Sequence, residues 1–463
     1  MKTRPPIVVV LGHVDHGKTT LLDAIRKTNV ASREAGGITQ AIGATVVETK
    51  TGRKITFIDT PGHAAFSKMR GRGAKVADIA ILVVAQDDGV SPQTLEAIKI
   101  IRDAKVPFLV AGTKVDVPGV SAEALKGQLE KEEVFFEGRG GDTPFVSVSA
   151  KTGTGINELI ETLELMADVG DLKSDPAALL EAVVIESNKE KMGQVASLVV
   201  RNGSIRVGQT IFAEEVLCKV RGIFDDTGKS VKEVMPGFPA KVIGFSEVPP
   251  VGALVSSEPK EAIKEIAKAK GVFDLRRLKE DEIPMIIKAS NAGALEAIIA
   301  SLPPKVVVVG SGVGEVTSSD IITAKTGNAY IFSFETKISN DIVKLAEAEK
   351  IQVAKFDIIY DLIAAVELLL KKGRLVELGH AQVVASFPFN NKKVAGCKVI
   401  DGRISKGDKL ILMREGKEVG RAKAVSIRKQ KNEVASVGQS EEFGVIMEPQ
   451  LDFTEGDVLV STR

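Results

Sequence analysis

The sequence predicts a multidomain protein of the α/β plus β class. Its expected parts are an N-terminal α/β domain, a β-barrel, a small α/β/α domain, a long connecting helix and a C-terminal β-barrel. Three observations predict this: apolar runs alternate with helical stretches up to about Ala167, short β-rich runs between Gly and Pro turns fill two later regions, and one amphipathic helix stands between them. The 463 residues leave room for three or four domains.

Composition indicates a globular, cytoplasmic protein. Hydrophobic residues make up 44% and charged residues 27% of the chain, and apolar stretches such as Ala77–Ala85 are too short to cross a bilayer. We therefore expect no leader peptide and no membrane partner. Cys218 and Cys397 form no CxxC motif, so neither a disulfide framework nor a zinc site is expected. The net charge of +1 means that any nucleic acid must be held by local basic residues, such as Arg421, Lys423, Arg428, Lys429 and Lys431.

The first domain, residues 1–170, alternates strands and helices in the manner of a mostly parallel sheet covered on both faces. Ligands of such sheets bind at the carboxyl ends of the strands. The predicted strands are Ile7–Leu11, Ile55–Ile58, Ile79–Ala85, Phe108–Ala111 and Phe145–Val148, and the predicted helices are Thr20–Arg26, Pro92–Asp103 and Ile156–Met166.

A glycine-rich turn joins the first strand to the first helix and predicts a phosphate cradle. Gly12 and Gly17 allow the turn to curl with its amides inward, Lys18 can reach the β- and γ-phosphates, and Thr19 is placed for Mg²⁺. A plain tight turn is the alternative, but the full spacing and its strand–helix context favour a P-loop. The predicted nucleotide-binding residues here are Gly12, His13, Val14, Asp15, His16, Gly17, Lys18, Thr19 and Thr20.

Two further loops complete a predicted metal and γ-phosphate site. Asp59, at the end of its strand, can hold Mg²⁺ through water, and the N–H of Gly62 can sense the γ-phosphate. Thr39 can add its hydroxyl to the same ion once the γ-phosphate is present. The predicted metal residues are therefore Thr19, Thr39 and Asp59.

Two later loops predict guanine as the base. Asp116 can accept hydrogen bonds from N1–H and the exocyclic amine of guanine, which adenine cannot supply. A backbone N–H of the second loop can meet the guanine O6, while two lysines lie along the base. The residues are Thr113, Lys114 and Asp116 in the first loop and Ser149, Ala150 and Lys151 in the second. Together with the cradle they predict a P-loop GTPase domain that binds GTP and GDP.

His63 is the predicted catalytic residue. It directly follows Gly62, where an imidazole can orient the attacking water, and Val14 and Ile38 can form an apolar gate in front of it. A hydrogen-bonded loop histidine is the alternative.

The remaining regions are assigned from pattern alone. Residues 178–259 and 374–463 predict two related barrels, because Val200–Gln209 aligns with Val399–Asp408, and Gly237 and Gly252 correspond roughly to Gly438 and Gly456. Residues 260–356 predict an α/β domain with a leading surface helix at Lys260–Lys270. Residues 357–373 predict a helix with one apolar stripe, either packed into a core or serving as a rod that carries the last barrel.

These motifs and their order resemble the translational GTPases, and the domain order is similar to that of the bacterial-type initiation factor two family in a compact form. The resemblance covers essentially the whole chain. It implies a ribosome-stimulated GTP hydrolase that binds formylmethionyl initiator tRNA, places it on the small ribosomal subunit and promotes joining of the large one. It also implies other initiation factors as partners and a monomer.

By the same resemblance, the last barrel grips the aminoacylated end of the tRNA through Cys397, Arg428, Lys429, Glu442 and Gly444. Cys397 as a core residue and the two cations as a solvated face are the plain alternatives. Three positions depart from the family pattern: Thr113 replaces an Asn, Gln430 an aromatic residue and Phe443 a Cys.

Two other functions stay open from the sequence: a translational GTPase that handles a different tRNA, and a scaffold that binds RNA with a silent nucleotide site.

Overall fold

The computed structural model describes residues 2–28, 38–259, 282–372, 377–389, 392–414, 417–430 and 432–462. The predicted surface helix Lys260–Lys270 and Lys431 of the basic patch lie outside these residues. The chain divides into two compact units. One contains Met1–Leu278 and Ile283–Glu367, and the other contains Lys279–Glu282 and Leu368–Arg463.

A six-stranded sheet forms the centre of the N-terminal region. Five strands are parallel, and one edge strand, Gly43–Glu48, is antiparallel. In spatial order the strands are Gly43–Glu48, Lys54–Asp59, Ile7–Gly12, Ile79–Ala85, Phe108–Thr113 and Phe145–Ser147. The helices are Lys18–Arg26, Ser67–Val76, Pro92–Ala104, Ala122–Lys131 and Ile156–Val169, with a 3₁₀ turn at Ala64–Phe66. The short strands Lys2–Thr3 and Lys173–Ser174 pair with each other.

The central strands are apolar because they are covered on both faces. All six residues of Ile7–Gly12 and all seven of Ile79–Ala85 are buried. Parallel pairing places Gly12, Asp59 and Thr113 at the carboxyl ends of their strands, which is the edge where such sheets bind ligands.

The two barrels have the same strand order. Each is a closed ring of six main strands, and the ring visits its strands in the same sequence order. The first ring is Glu181–Glu190, Gly193–Asn202, Pro239–Phe245, Val216–Phe224, Thr210–Ala213 and Leu254–Ser256, with short strands Ile205–Arg206, Ser230–Val231 and Glu233–Val234. The second is Glu377–Phe389, Lys392–Ser405, Glu442–Glu448, Lys417–Lys429, Lys409–Arg414 and Val458–Thr462, with short strands Asn432–Glu433 and Ser436–Gly438.

Matched glycines support the predicted repeat. Gly203 and Gly402 have φ of 68° and 64°, and Gly208 and Gly407 have φ of 90° and 96°. These left-handed values favour glycine at both turns of each barrel. The pair Gly237 and Gly438 differs, since only Gly237 has a positive φ, whereas Gly252 and Gly456 agree at 85° and 95°.

A second, four-stranded parallel sheet follows the first barrel. Its spatial order is Val306–Val313, Ile283–Ala289, Tyr330–Phe334 and Val353–Phe356, and its helices are Ala292–Ser301, Ser318–Gly327 and Asn340–Ala348. The helix Ile359–Lys372 comes next and buries Ile359, Leu362 and Val366. Within the described residues, no helix has both the length and the apolar character that a membrane span requires.

Candidate nucleotide-binding site

The glycine-rich turn is shaped by close backbone contacts. A Cβ at Gly12 would collide with the Val83 carbonyl, so only glycine fits there. Gly17 begins the helix Lys18–Arg26 with a φ of 85°. Thr113 donates its hydroxyl to the His16 carbonyl over 2.7 Å, and Val14 donates its N–H to Gln93 over 3.1 Å. The turn is therefore braced by the two neighbouring elements.

A cavity of about 220 Å³ lies against this turn. It brings together most residues of the predicted phosphate and metal site with the predicted gate and catalytic histidine. Its lining is Val14, Asp15, Gly17, Lys18, Thr19, Thr20, Ile38, Thr39, Gly62, His63 and Tyr360. Tyr360 was not predicted from the sequence, because nothing in a helical apolar pattern marks one exposed aromatic as part of a distant site.

Gly12, His13, His16 and Asp59 are predicted site residues outside that lining. His16 is 1% exposed, and its Nε2 lies 2.9 Å from Asp88 Oδ2. Burial lowers the pKa of His16, although the Asp88 hydrogen bond opposes that effect. Its side chain thus fastens the turn to the loop after Ile79–Ala85, and any contact of His16 with phosphate would come from the backbone.

The residues predicted to hold Mg²⁺ supply suitable oxygens. The hydroxyls of Thr19 and Thr39 lie 2.6 Å apart, close to the roughly 3 Å that separates adjacent ligands of an octahedral Mg²⁺. Asp59 is 5% exposed, and its Oδ1 is buried with no hydrogen-bond partner among the described residues. Burial raises the pKa of Asp59 to about 6, against the opposing effect of Arg26 and Lys18. A bound divalent cation would satisfy this buried oxygen and restore the charged form.

Lys18 lies between the two phosphate-facing loops. Its Nζ donates to the His13 carbonyl over 2.5 Å, and a Cβ at Gly62 would collide with Nζ. Burial lowers the pKa of Lys18 to about 8, although Asp59 raises it. A phosphate anion at this point would favour the charged ammonium.

The His63 imidazole is held from both sides. Its Nδ1 accepts a hydrogen bond from the Ala65 N–H over 2.9 Å, so the neutral ring carries its proton on Nε2. Burial, followed by the charge of Arg70, lowers the pKa of His63 and favours that neutral form. The Tyr360 ring meets the imidazole edge-on, with centroids 4.0 Å apart.

Arg70 supports the loop that carries His63, a role that the sequence did not reveal. It is 1% exposed and donates to the carbonyls of Pro61, over 3.1 Å, and of His63. It also pairs with Glu96 over 2.6 Å. A buried arginine on a polar, glycine-containing segment gives no periodic signal, which is why sequence reasoning missed it.

The predicted guanine-binding loops lie side by side. Ser149 donates its hydroxyl to Asp116 over 2.6 Å, and this hydrogen bond lowers the pKa of Asp116. The carboxylate is therefore ionised and acceptor-only near neutral pH, as recognition of N1–H and an amine requires. Lys114 pairs with Asp87 over 3.1 Å. Ala150 and Lys151 directly follow Ser149 in the second loop.

A second pocket, of about 650 Å³, lies in the C-terminal barrel. Its lining includes four predicted residues, Cys397, Arg428, Glu442 and Gly444, together with the exposed apolar side chains of Val384 and Phe387. The fifth, Lys429, is not part of that lining and pairs with Glu441 over 2.8 Å.

Cys397 is one of the pocket residues, and it also fits the alternative that it is a residue of the barrel core. It is 1% exposed and belongs to the barrel core, and burial raises the pKa of its thiol to about 12. It pairs with Phe443 across the sheet, and Gly396 pairs with Gly444. The thiol therefore lies in the barrel core as a small apolar group and not as a nucleophile, although Cys397 contributes to the pocket lining.

Three protein-family models match the chain. Residues 3–168 match the elongation factor Tu GTP binding domain, residues 179–258 match elongation factor G domain 2, and residues 258–367 match translation-initiation factor 2.

Curated relatives match nearly the whole chain. Translation initiation factor IF-2 of Caldanaerobacter subterraneus subsp. tengcongensis is 40% identical over 99% of this chain and 69% of its own length. The Aquifex aeolicus factor of the same name is 41% identical over 99% of this chain and 61% of its own length. Across eight such relatives, the chain spans 50–71% of the length of the protein that it matches. Among solved structures, GDP-bound aIF5B from Aeropyrum pernix is 26% identical, covers 99% of this chain and 92% of its own, and superposes with a TM-score of 0.46.

Proposed function

The chain belongs to the translation initiation factor IF-2 family and is a translational GTPase, and from this premise we propose that it binds GTP with Mg²⁺ and hydrolyses GTP on the ribosome. We also propose that it delivers formylmethionyl initiator tRNA to the small ribosomal subunit and promotes joining of the large one. The observation that carries the proposal is the cavity that gathers the P-loop, Thr39, Gly62 and His63 at one point.

In this proposal each loop has one task toward the nucleotide. The P-loop amides and Lys18 hold the β- and γ-phosphates, and Asp116, fixed by Ser149, reads the guanine edge. Thr19, Thr39 and Asp59 hold the Mg²⁺, which neutralises charge on the phosphates when it is bound. The contact of Thr19 with Thr39 supports a shared ion, because two oxygens at that spacing can face the same point.

His63 acts as a hydrogen-bond donor. Because Nδ1 is occupied by the Ala65 N–H, the neutral ring offers Nε2–H, which can hold a water or a phosphate oxygen but cannot take up a proton. Its contribution is therefore the orientation of water and the stabilisation of charge, the two effects that dominate phosphoryl transfer.

The tRNA part of the proposal rests on the pocket of the C-terminal barrel. Arg428 can hold a phosphate at its rim, while the exposed side chains of Val384 and Phe387 offer apolar surface to a methionyl side chain and Cys397 supports the pocket from the barrel core. Glu442 and the Gly444 backbone lie on the same strand, at the same pocket.

The test measures how much the full chain slows the spontaneous hydrolysis of the ester bond in aminoacyl-tRNA, because a bound ester is protected from water. We expect the chain to protect formylmethionyl initiator tRNA better than the unformylated form or an elongator aminoacyl-tRNA. Arg428→Ala should weaken protection about tenfold, because a charge-assisted phosphate contact is lost. Arg403→Ala is the matched control, since Arg403 is an exposed arginine of the same barrel that does not line the pocket.

Two results would contradict this part. Equal protection of elongator tRNA would favour the other translational GTPase, and no protection of any tRNA would remove the assignment of the barrel. Ribosome-stimulated phosphate release would distinguish either kind of translational GTPase from a scaffold that binds RNA and has a silent nucleotide site.

A further inference from the structure

The start of the helix Ile359–Lys372 reaches the nucleotide site through Tyr360. Tyr360 is 51% exposed, yet its ring lines the cavity beside Val14, Ile38 and Thr39. Its centroid lies 4.0 Å from that of His63, and the two ring planes meet at 69°. Tyr360, which follows the four-stranded sheet in the sequence, thus forms part of the cavity wall next to His63, the predicted catalytic residue.

Gln40 fixes this helix start to the loop that carries Thr39. Gln40 is 4% exposed, and its side-chain amide donates to the Asp357 carbonyl over 2.8 Å and to Glu335 over 3.0 Å. Its Oε1 accepts the N–H of Ile359 over 3.2 Å. Because Gln40 directly follows Thr39, the metal-binding loop and the first helical turn are joined by hydrogen bonds on both sides of Ile358.

The His63 ring therefore has two restraints of different origin. The Ala65 N–H holds Nδ1 from within the same loop, whereas Tyr360 holds the ring from a separate element. Any rotation of the imidazole away from the Ala65 N–H must therefore also change its packing against Tyr360. An edge-to-face contact of this kind stabilises the pair that makes it, so it disfavours such a rotation.

We propose that Tyr360 is a positioning residue that retains the His63 imidazole and keeps GTP hydrolysis slow until the first turn of the helix Ile359–Lys372 moves. The proposal rests on the proposed function, since it regulates the same site. In this proposal Tyr360 restrains His63 in addition to the predicted apolar gate of Val14 and Ile38. The position of Tyr360 depends on the hydrogen bonds that Gln40 makes to the start of the helix. A rearrangement of the Thr39 loop would release Tyr360, and with it His63.

The test is single-turnover GTP hydrolysis by the full chain with Mg²⁺ and without ribosomes. Tyr360→Ala should raise the rate about three- to tenfold, the range that corresponds to the loss of one aromatic pair. GTP affinity measured by calorimetry should stay within about twofold, because the proposed function assigns the phosphate contacts to the P-loop amides and Lys18. Tyr360→Phe keeps the ring and should hydrolyse GTP at the wild-type rate.

Two further variants separate this role from a structural one. The gain should disappear in the double variant His63→Ala with Tyr360→Ala, because it acts through the imidazole. Leu368→Ala, an exposed apolar position on the same helix, is the matched control and should leave the rate unchanged. If Tyr360→Ala does not fold, Tyr360→Leu keeps apolar volume without a ring and replaces it in every comparison.

A spectroscopic readout completes the test. With only four histidines in the chain, the ring signals of His63 can be assigned by NMR. Loss of the Tyr360 ring should shift them, and Tyr360→Phe should not. An unshifted His63 signal, a rate in Tyr360→Ala equal to or below wild type, or a gain that persists without His63 would overturn the proposal. Failure of the wild-type chain to bind GTP would instead overturn the proposed function.

Discussion

Thr113 braces the predicted guanine-binding loop against the P-loop. By the resemblance, Thr113 stands where the initiation factor two family has an Asn. In the structure, Thr113 is 3% exposed and donates its hydroxyl to the His16 carbonyl over 2.7 Å. The end of the strand that precedes Asp116 is therefore tied to the P-loop through a hydroxyl.

Removing that hydroxyl should loosen the phosphate cradle. Thr113→Val keeps the shape of the side chain but leaves the buried His16 carbonyl without this donor, which costs about 1–3 kcal/mol. We expect the affinity for GTP, measured by calorimetry, to fall about tenfold. Thr113→Ser keeps the donor and should bind like the wild type. An affinity of Thr113→Val within twofold of the wild type would show that the hydrogen bond does not support the site.

Chemistry-bearing residues of the site were predictable because each lies at a fixed distance from a strand end. The spacing of Gly12, Gly17, Lys18 and Thr19 after a buried strand predicts a turn between a strand and a helix, and the structure has a turn at that place. Tyr360 and Gln40 were not predictable in this way. They reach the site by folding of segments about 300 residues apart, and no local pattern encodes that contact.

At the scale of elements, amphipathic or fully buried segments were predicted and polar ones were missed. The strand Ile79–Ala85 was predicted with its observed bounds, and the helix Pro92–Ala104 was predicted to within one residue. The helix Ser67–Val76 was missed because Gly71 and Gly73 disfavour a helix. Packing against the sheet overrides that preference, since a Cβ at Gly73 would come within 3.1 Å of Val9 and 3.2 Å of Thr60.

Glu186 is another feature of element packing that the sequence did not show. It lies on a barrel strand, is 8% exposed and accepts the N–H of Gly293 over 3.2 Å, near the N-terminus of the helix Ala292–Ser301. Burial raises the pKa of Glu186 to about 7, and Glu335 raises it further, although the backbone amides and Arg72 oppose this. Its Oε2 has no hydrogen-bond partner among the described residues.

This raised pKa predicts a pH-dependent stability. The folded state keeps the Glu186 proton between the ordinary pKa of 4.5 and about 7, where the unfolded chain has lost it, so stability falls as pH rises through that window. The loss amounts to about 3 kcal/mol at most. Glu186→Gln cannot ionise, so its thermal midpoint should change less between pH 5 and 8 and exceed that of the wild type at pH 8.

Glu190→Gln is the control for this prediction. Glu190 lies on the same strand, is less buried than Glu186 and pairs with Lys241 over 2.6 Å. Its variant should retain the pH dependence of the wild type. A Glu186→Gln curve parallel to that of the wild type would assign the pH dependence to other groups.

At the scale of the whole molecule, the boundary between the two compact units falls inside one helix, between Glu367 and Leu368. The first part of that helix buries Ile359, Leu362 and Val366 and brings Tyr360 to the nucleotide cavity. The fold class is as predicted, and the two barrels share a strand order that the matched glycines anticipated. The predicted domain limits, and a rod-like role for the helix, stay predictions.

Phosphate release from GTP by the full chain, in the presence of both ribosomal subunits and initiator tRNA, decides whether the proposed function is right. The ribosome should stimulate phosphate release strongly over the ribosome-free rate. His63→Ala should lose about 100-fold or more of the stimulated rate and retain GTP affinity, because His63 acts on the reacting water or phosphate and not on the base. Stimulated release that is unchanged in His63→Ala, or absent from the wild-type chain, would contradict the proposed function.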